Sequence, residues 1–419
     1  MRICFISREY PPATHVGGIG TYTATAAKLL ANAGHEVHVL CNGQVAEKKV
    51  VQGIIVHRLV MDNHPLPQYR FAFFIRKFAR EKLPAWLDAY TWALTVARYT
   101  QKSQVLQGMQ AIEFPETNGE GALINFCQVA PKTQIICRIH TSWLESNWHH
   151  PLERYLILKL QRKACEKSTQ VVSPSQAMTT HYAQRILKLK TPVKVDPNPF
   201  LIWPQPIAWK QKDSRHILFV GRIEFRKGID VLIKLLPQLA DFNQKIEIRI
   251  IGAQNDPYSP MDTVVHRKFQ QALIAYSPTS AHSVSLEWLG SLPHHQLPEH
   301  YDWAGILIFP SRMDNYPYVL IEALSRGCFV IGFQVGGVHE IVSPPQFGDL
   351  VFKQNPALLL QKMRKWIGQN AELLPHWEAA VAFIHERYSP DAMLRRMDVL
   401  YTGENPDSAA ALSQAQTPD

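Results

Sequence analysis

The sequence predicts an α/β protein made of two doubly wound parallel sheets, and three observations lead to this prediction. The chain has 419 residues, which is more than one compact core accommodates and suits two or three domains. Short apolar runs alternate with longer helical patterns, which is typical of parallel sheets covered by helices on both faces. This alternation occurs twice, and four prolines in residues 196–206 separate the two sets.

Each set contains five predicted strands. In the first set they are residues 3–7, 36–40, 54–59, 134–139 and 170–172, and a further strand is expected to end at the acidic segment 113–121. In the second set they are residues 217–220, 247–251, 285–289, 306–309 and 329–332. We therefore assign residues 1–199 to an N-terminal domain and 200–385 to a C-terminal domain. Residues 386–402 are expected to form a final helix, and the small polar residues of 403–419 a disordered tail.

The charge of the chain indicates acidic partners. Lys and Arg number 44 against 35 Asp and Glu, a net charge of +9. The sequence has no Arg-rich tract or interleaved aromatic and basic motif, which disfavours nucleic acid and leaves nucleotide-sugars and anionic membranes. Residues 69–82 mix aromatic and basic side chains at helical spacing. They suit either a membrane contact or a helix packed on the first sheet.

The cysteines and the apolar runs indicate a cytoplasmic protein. The six cysteines include no Cys-x-x-Cys pair and several fall in strand-like runs, as expected of reduced core residues. The N-terminus turns polar too soon for a signal peptide, and no apolar run approaches membrane-spanning length. Peripheral attachment to the cytoplasmic face of a membrane stays open.

Residues 310–327 are the most informative segment of the chain. A predicted strand ends before Pro310, and a helix is expected from Pro317 to Gly327, whose missing Cβ suits a left-handed C-cap. Asp314 lies in the loop before this helix and Glu322 lies within it. Amides at a helix start attract phosphate, and a carboxylate can accept both hydroxyls of a ribose. The segment therefore predicts a sugar-nucleotide clamp.

Two further loops fit the same ligand. Gly17 and Gly18 precede a predicted helix, where backbone amides can approach a charged ligand closely. This loop lacks the third glycine and the tight turn of a dinucleotide fingerprint, so an oxidoreductase is disfavoured. In the second domain, Arg222 and Lys227 follow a strand between Gly221 and Gly228. Fixed cations there would stabilise the charge that accumulates on a departing diphosphate.

Histidines and acids elsewhere give weaker signals. His140 follows a predicted strand and is expected at the floor of the ligand site, and Glu116 lies in an acid-rich strand end that would face an acceptor. The histidine pairs at 149–150 and 294–295 have no third ligand at metal spacing. They are predicted to be surface residues, and no metal is expected.

The segment around Asp314 and Glu322 resembles family 4 of the retaining glycosyltransferases. That family carries Glu-x7-Glu between a Pro-Ser strand end and an Ala-x-x-x-Gly helix end, and this chain has Asp314-x7-Glu322 in the same setting. The resemblance covers most of the chain and implies the GT-B fold, in which two Rossmann-like domains face a central cleft and the last helix crosses back to the first domain. It also implies sugar transfer from a nucleotide diphosphate-sugar to a hydroxyl acceptor with retention, and without a metal or other cofactor.

The resemblance also implies residue roles. The expected catalytic residues are Arg222, Lys227, Asp314 and His140. The donor is expected to contact Gly17, Gly18, Arg222, Lys227, Gly252, Leu292, Asp314, Asn315, Tyr316 and Glu322, with Gly252 and Leu292 supplying backbone contacts to the base. Glu116 and His140 are expected on the acceptor side.

Two other functions stay open at this point. A GT-B-fold sugar-nucleotide epimerase would bind the same donor without an acceptor. A non-catalytic sugar-nucleotide binding protein would keep the clamp without turnover. The sequence does not indicate the base, the sugar or the acceptor, which could be a glycan, a lipid-linked molecule or a small molecule.

Overall fold

The computed structural model consists of two compact units. It describes residues 1–12, 17–61, 83–140, 150–205, 207–242, 244–254, 259–280, 282–343 and 345–403. One unit comprises Met1–Phe200 with Pro390–Asp419, and the other comprises Leu201–Ser389. The aromatic and basic segment 69–82, the predicted tail beyond residue 403 and part of the first glycine loop (13–16) lie outside the described residues.

Unit 1 is built on an eight-stranded sheet. In chain order its strands are β1 (Arg2–Ile6), β2 (Glu36–Asn42), β3 (Glu47–Val51), β4 (Ile54–Leu59), β5 (Ala111–Pro115), β6 (Gln134–Arg138), β7 (Gln170–Ser173) and β8 (Val193–Val195). Their order in the sheet is β3-β4-β2-β1-β5-β6-β7-β8, and every described pair is parallel except β3 with β4. The order reverses between β1 and β5, so the loops after these two strands meet at one edge.

Within the described part of residues 1–200, four helical segments accompany this sheet, besides two short 3-10 helices. They are α1 (Gly18–Asn32), α2 (Pro84–Ser103), α3 (Pro151–Glu166) and the short α4 (Gln176–Met178), which continues as a π-helix over Thr179–Ile186. Their apolar faces pack on the sheet, with Trp92 and Val96 of α2 buried against Ile112 and Phe114 of β5. Burial of such side chains from water is the main force that holds the layers together.

Unit 2 is built on a six-stranded sheet whose described pairs are all parallel. Its strands are β9 (Asp213–Val220), β10 (Ile246–Ile251), β11 (Val284–Trp288), β12 (Ala304–Phe309), β13 (Phe329–Phe333) and β14 (Gly348–Val351), in the order β11-β10-β9-β12-β13-β14. The helices are α5 (Ile229–Ala240), α6 (Pro260–Ala275), α7 (Leu297–Trp303), α8 (Tyr318–Ser325), α9 (Val338–Val342), α10 (Pro356–Trp366) and α11 (Asn370–Arg387). The order reverses between β9 and β12, and ligands of such sheets bind beyond the carboxyl ends of the strands at this switch point.

The two predicted sets of parallel strands are confirmed, with additions at the sheet edges. All ten predicted strands are present. Each observed strand ends within two residues of its predicted end and begins within four residues of its predicted start. Three strands were not predicted: β3, β8 and β14. Strand β3 (Glu47–Val51) is exposed at every position and pairs antiparallel with β4, so it lacks the apolar run of a buried parallel strand.

The final helix, α12 (Pro390–Thr402), belongs to unit 1. It begins four residues later than the expected start at 386, because α11 continues to Arg387. Likewise the first division between the units falls after Phe200 and not after 199. Gln170 Nε2 donates to the carbonyl oxygen of Leu400 at 3.0 Å, which ties α12 to β7.

A buried charge network also ties α12 to the sheet. Arg138 and Glu113, each 1% exposed, form an ion pair with 2.9 Å between Nε and Oε1. Tyr22 donates to the same Glu113 oxygen, and Tyr401 of α12 donates to Oε2 at 2.9 Å. Arg138 also donates to Asp196 Oδ2 at 2.9 Å. Because a buried ion pair is stable only when its remaining hydrogen-bonding positions are filled, Tyr401 is part of the stability of unit 1.

All six cysteines have free thiols, and only Cys127 is exposed. Burial raises the pKa of Cys41 to about 11, so this thiol stays protonated at neutral pH. Among the described residues, no helix has both the length and the apolar character that crossing a membrane requires.

Candidate active site

The switch point of unit 2 brings the predicted basic and acidic loops together. β9 and β12 are neighbours in the sheet, and the chain runs from β9 into residues 221–228 and from β12 into residues 310–317. Gly228 has φ of +74°, and a Cβ there would lie 1.9 Å from the carbonyl oxygen of Pro310. Only glycine therefore allows the two loops this close approach.

The closest functional contact between the loops is an ion pair. Lys227 Nζ lies 2.5 Å from Asp314 Oδ2, and the two side chains are 19% and 14% exposed. Arg222 precedes Lys227 in the same loop, is 44% exposed and lies 3.4 Å from Glu224. The structure thus brings the predicted cations and the first predicted carboxylate into one site.

Arg312 braces these two loops, and sequence reasoning did not single it out. Its guanidinium donates to both carboxylate oxygens of Asp230 at 2.7 and 2.8 Å and lies 3.8 Å from the centre of the Phe225 ring. Its backbone amide donates to the Arg226 carbonyl at 2.8 Å, and Arg226 donates back to Met313. Because the planar guanidinium of Arg312 donates to Asp230 through two parallel bonds, it fixes the orientation of the two loops as well as pairing the charge.

Glu322 lies on α8, as predicted, with a hydrogen-bond donor at one oxygen and a histidine ring near the other. Tyr301 donates to Oε2 at 2.7 Å, and His294 Nε2 lies 3.4 Å from Oε1. Burial, with the Glu322 charge as a further cause, raises the pKa of Tyr301, so the phenol remains a donor. His294 is exposed, as predicted for a surface histidine, and its ring also contacts this carboxylate. Gly327 has φ of +75° and ends the helix as expected.

Asp314 and the two residues after it also make contacts that hold unit 2 together. A Cβ at Gly336 would lie 1.9 Å from the carbonyl oxygen of Asp314, and the amide of Gly337 donates to Asn315. The Tyr316 side chain is buried, and its hydroxyl lies 2.6 Å from that of Tyr388. The phenol packs inside unit 2, so the predicted donor contact of Tyr316 is left to its backbone.

Gly252 serves packing between loops. Its φ is +152°, and a Cβ there would lie 2.0 Å from the carbonyl oxygen of Gly221. Its amide donates to Gly290 at 2.8 Å and its carbonyl accepts from Trp288 at 3.0 Å. Because its amide and its carbonyl both have partners, the structure disfavours the backbone contact with the base that was expected of Gly252. Leu292 lies half-buried in the turn after β11.

In unit 1, the predicted glycines lie at the start of α1. Gly17 caps the helix, and its amide donates to Glu9 Oε2 at 2.9 Å. Among the described residues outside the backbone of α1, no atom would lie within 4 Å of a Cβ at Gly18. The Gly17 amide already binds a carboxylate, which disfavours its expected contact with the donor, and Gly18 stays the candidate for that contact.

His140 follows β6 and is held by Glu116. The Glu116 side chain is buried, and its Oε2 accepts from the backbone amide of His140 at 2.9 Å. The burial of Glu116 disfavours the acceptor contact expected of it, because this carboxylate already holds the backbone of His140. Burial and the charge of Arg138 lower the pKa of His140 to about 3, so the imidazole is neutral at physiological pH. Its ring packs edge-on against Tyr22, with 4.8 Å between centroids.

Comparison with known families agrees with this geometry. The family described as glycosyl transferases group 1 matches residues 205–382, and the glycosyl transferase 4-like domain matches residues 17–198. This chain is a group 1 glycosyltransferase. It is 24% identical to an uncharacterized glycosyltransferase of Methanocaldococcus jannaschii, over 85% of this chain and 86% of that protein. It is 22% identical to the glycogen synthase of Mycobacterium tuberculosis, over 83% and 81% of the two chains.

Solved structures show that this glycosyltransferase has the GT-B fold. Sucrose-phosphate synthase from Thermosynechococcus elongatus superposes with a TM-score of 0.69 at 19% identity, covering 96% of this chain and 98% of that one. Anabaena HepE, solved in complex with UDP, superposes with a TM-score of 0.68 at 15% identity over 96% and 100% of the two chains. Within the described residues, no group of three or more His, Cys, Asp or Glu side chains could hold a metal ion.

Proposed function

We propose that this glycosyltransferase moves a sugar from a nucleotide diphosphate-sugar to a hydroxyl acceptor with retention of the anomeric configuration. The observation that carries the proposal is the Lys227–Asp314 pair beside Arg222, at the switch point of the unit 2 sheet. Charge accumulates on the diphosphate as the glycosidic bond breaks, and fixed cations there stabilise the transition state more than the ground state. The complex of HepE with UDP supports a nucleotide diphosphate as the ligand of this fold.

Lys227, Arg222 and Asp314 would have different roles in binding the donor. The Lys227 ammonium has three N–H donors, of which one is directed at Asp314 and the others would reach phosphate oxygens. Arg222 is exposed enough to reach the same phosphate. Asp314, with Asn315 and the backbone amide of Tyr316, would orient hydroxyls of the donor sugar. Attack of the acceptor on the face from which the diphosphate departs would then give retention.

Glu322 would bind the ribose. A carboxylate accepts two hydroxyl hydrogens side by side, which matches a vicinal diol. The buried Tyr301 holds one of its oxygens, so the carboxylate is oriented before the ligand arrives. The half-buried turn at Leu292 is proposed to border the base.

Unit 1 would contribute neutral hydrogen-bonding groups. The His140 imidazole, neutral near pH 7, would contact the donor sugar as a hydrogen-bonding partner and not as a cation. The amide of Gly18, at the start of α1, would face the diphosphate or the acceptor.

We further propose that catalysis needs no metal, because Arg222 and Lys227 supply positive charge where a divalent cation would act. The free cysteines, mostly buried, favour the reducing cytoplasm as the place where the enzyme works. Contact with an anionic membrane remains part of the proposal for the acceptor and rests on the net charge of +9.

The proposal is tested by product analysis. The protein is incubated with UDP-, GDP- and ADP-sugars and a cell extract as the source of acceptors, and products are identified by mass spectrometry with and without EDTA. Free nucleotide diphosphate together with a glycosylated product, unchanged by EDTA, is the expected result. An epimerised donor, or binding without turnover, would contradict transfer.

Paired variants test the residue roles. Lys227→Ala is expected to lose at least about 100-fold in kcat, the typical effect of removing one preorganised donor to a transition-state charge. Lys245→Ala, which removes an exposed lysine paired with Glu247, is the matched control and should keep full activity. Equal activities of the two variants would refute the role of Lys227.

A further inference from the structure

The carboxylate proposed to bind the ribose is held from two sides by two different kinds of residue. Tyr301, fully buried, donates to Glu322 Oε2 at 2.7 Å. His294, whose side chain is 60% exposed, places Nε2 3.4 Å from Oε1. Each carboxylate oxygen accepts two hydrogen bonds, so the bond from Tyr301 and the contact with His294 still leave a position on each oxygen for a ligand.

The imidazole of His294 rests on an aromatic support. Its ring lies 4.8 Å from the Trp203 ring at an interplanar angle of 32°. Trp203 is buried and in turn packs against the Tyr301 ring, with 5.8 Å between centroids. The exposed histidine is therefore held in place through the same aromatic cluster that holds the buried donor, and Pro293 before it restricts the turn.

We propose that His294 is a positioning residue that sets the selectivity of this enzyme for a ribonucleotide donor over its 2′-deoxy form. This inference rests on the proposed function, in which Glu322 binds the ribose diol. A carboxylate held at one oxygen can rotate about its last side-chain bond, whereas the His294 ring next to the other oxygen restricts this rotation and so fixes the plane. With the plane fixed, the 2′ and 3′ hydroxyls each meet one oxygen, and loss of the 2′ hydroxyl leaves Oε1 without its ligand partner.

The neighbouring residue provides a matched control. His295 is in the same short turn and is also exposed, but among the described contacts only His294 reaches Glu322. A general effect of removing an exposed histidine from this turn would appear in both positions. An effect transmitted through Glu322 would appear at His294 alone.

The test is calorimetric titration of the full chain with UDP, GDP and ADP, each beside its 2′-deoxy form. The wild type should bind the ribonucleotide of the preferred base at least about tenfold more tightly, since a hydrogen bond to a charged group is lost in the deoxy form. His294→Phe keeps a ring on Trp203 but removes the nitrogen, and should reduce this preference to about threefold or less. His294→Gln, which retains an N–H donor, should recover part of it, and His295→Phe should match the wild type.

The outcomes separate this inference from the proposed function. If the wild type binds none of the six nucleotides, or binds both sugar forms equally, the ribose role of Glu322 fails and this inference fails with it. If the wild type prefers the ribonucleotide and His294→Phe keeps the same preference, the proposed function stands and the role of His294 is overturned. Equal melting temperatures of the variants exclude a folding defect as the cause.

Discussion

Replacing Arg312 with lysine tests whether the brace between the two loops positions the catalytic pair. Arg312 donates to both oxygens of Asp230 and lies over the Phe225 ring, while its backbone joins residue 226. Lysine keeps the positive charge but offers a point donor in place of the fork. The side chains of Arg312 and Asp230 are 22% and 7% exposed, so water replaces the lost bond poorly.

The expected loss of stability follows from these contacts. A hydrogen bond to a charged group contributes about 1.5–3 kcal/mol, and lysine preserves one of the two to Asp230. Adding the weakened cation–ring contact, Arg312→Lys should lower the free energy of unfolding by about 2–3 kcal/mol. A displacement of Lys227 and Asp314 by about 1 Å should lower kcat on the order of 100-fold, even though Arg312 touches no substrate.

The assay combines urea unfolding with sugar-transfer kinetics at saturating donor. Arg215→Lys is the matched control, because Arg215 also binds both oxygens of an aspartate, Asp213, but is 48% exposed and lies near the other end of β9. That exposed pair should contribute less than about 1 kcal/mol and leave kcat unchanged. If Arg312→Lys behaves like Arg215→Lys in both measurements, the two loops do not depend on the brace.

Three further predictions concern the stability of unit 1. Tyr401→Phe removes the donor to the buried Glu113 and should cost about 1–3 kcal/mol in urea unfolding; a loss no greater than that of an exposed tyrosine, such as Tyr155→Phe, would contradict the network. Burial lowers the pKa of His57 to about 4, so the unfolded chain binds a proton there first, and stability should fall as pH drops from about 6.5 to 4. His57→Gln should reduce this slope, measured by urea unfolding at several pH values, and an unchanged slope would exclude His57 as its source. Burial raises the pKa of Glu120 to about 8, so stability should fall as pH rises from about 4.5 to 8, and Glu120→Gln should lessen that loss in thermal melts.

Much of the fold could be predicted because central parallel strands are buried on both faces. Runs such as Ile306–Phe309 within β12 are apolar without interruption, and their repetition with helices between them specifies the architecture. Strand β3 could not be predicted because its residues are exposed and three of them are charged, so no local pattern separates it from a loop. The burial of Glu113 within β5 could not be predicted, since a buried carboxylate resembles a loop residue until its partner Arg138 is known.

The candidate site was predictable where a side chain acts from a loop at a strand end. Lys227 and Asp314 follow this rule, and the structure brings them into contact. Roles that depend on what a group already binds could not be predicted. Spacing along a chain does not reveal that the Gly252 amide is bonded to Gly290.

The same limit applies to other residues. Tyr316 and Glu116 are polar residues in promising loops, and only their burial disfavours contact of their side chains with a ligand. Arg312 and Tyr301 support the site from outside it, through partners distant in the sequence. The adjacent His294 and His295 look equivalent in the sequence, and only the fold distinguishes them.

The return of α12 to unit 1 affects the order in which the protein can mature. The polypeptide leaves this unit at Phe200 and re-enters it at Pro390, so its sheet emerges from the ribosome long before Tyr401 does. Until then Glu113 lacks one of the hydrogen-bond donors that it has in the complete fold. A nascent or proteolytically shortened chain should therefore carry a weakened first unit, which would offer cellular quality control a way to recognise unfinished copies.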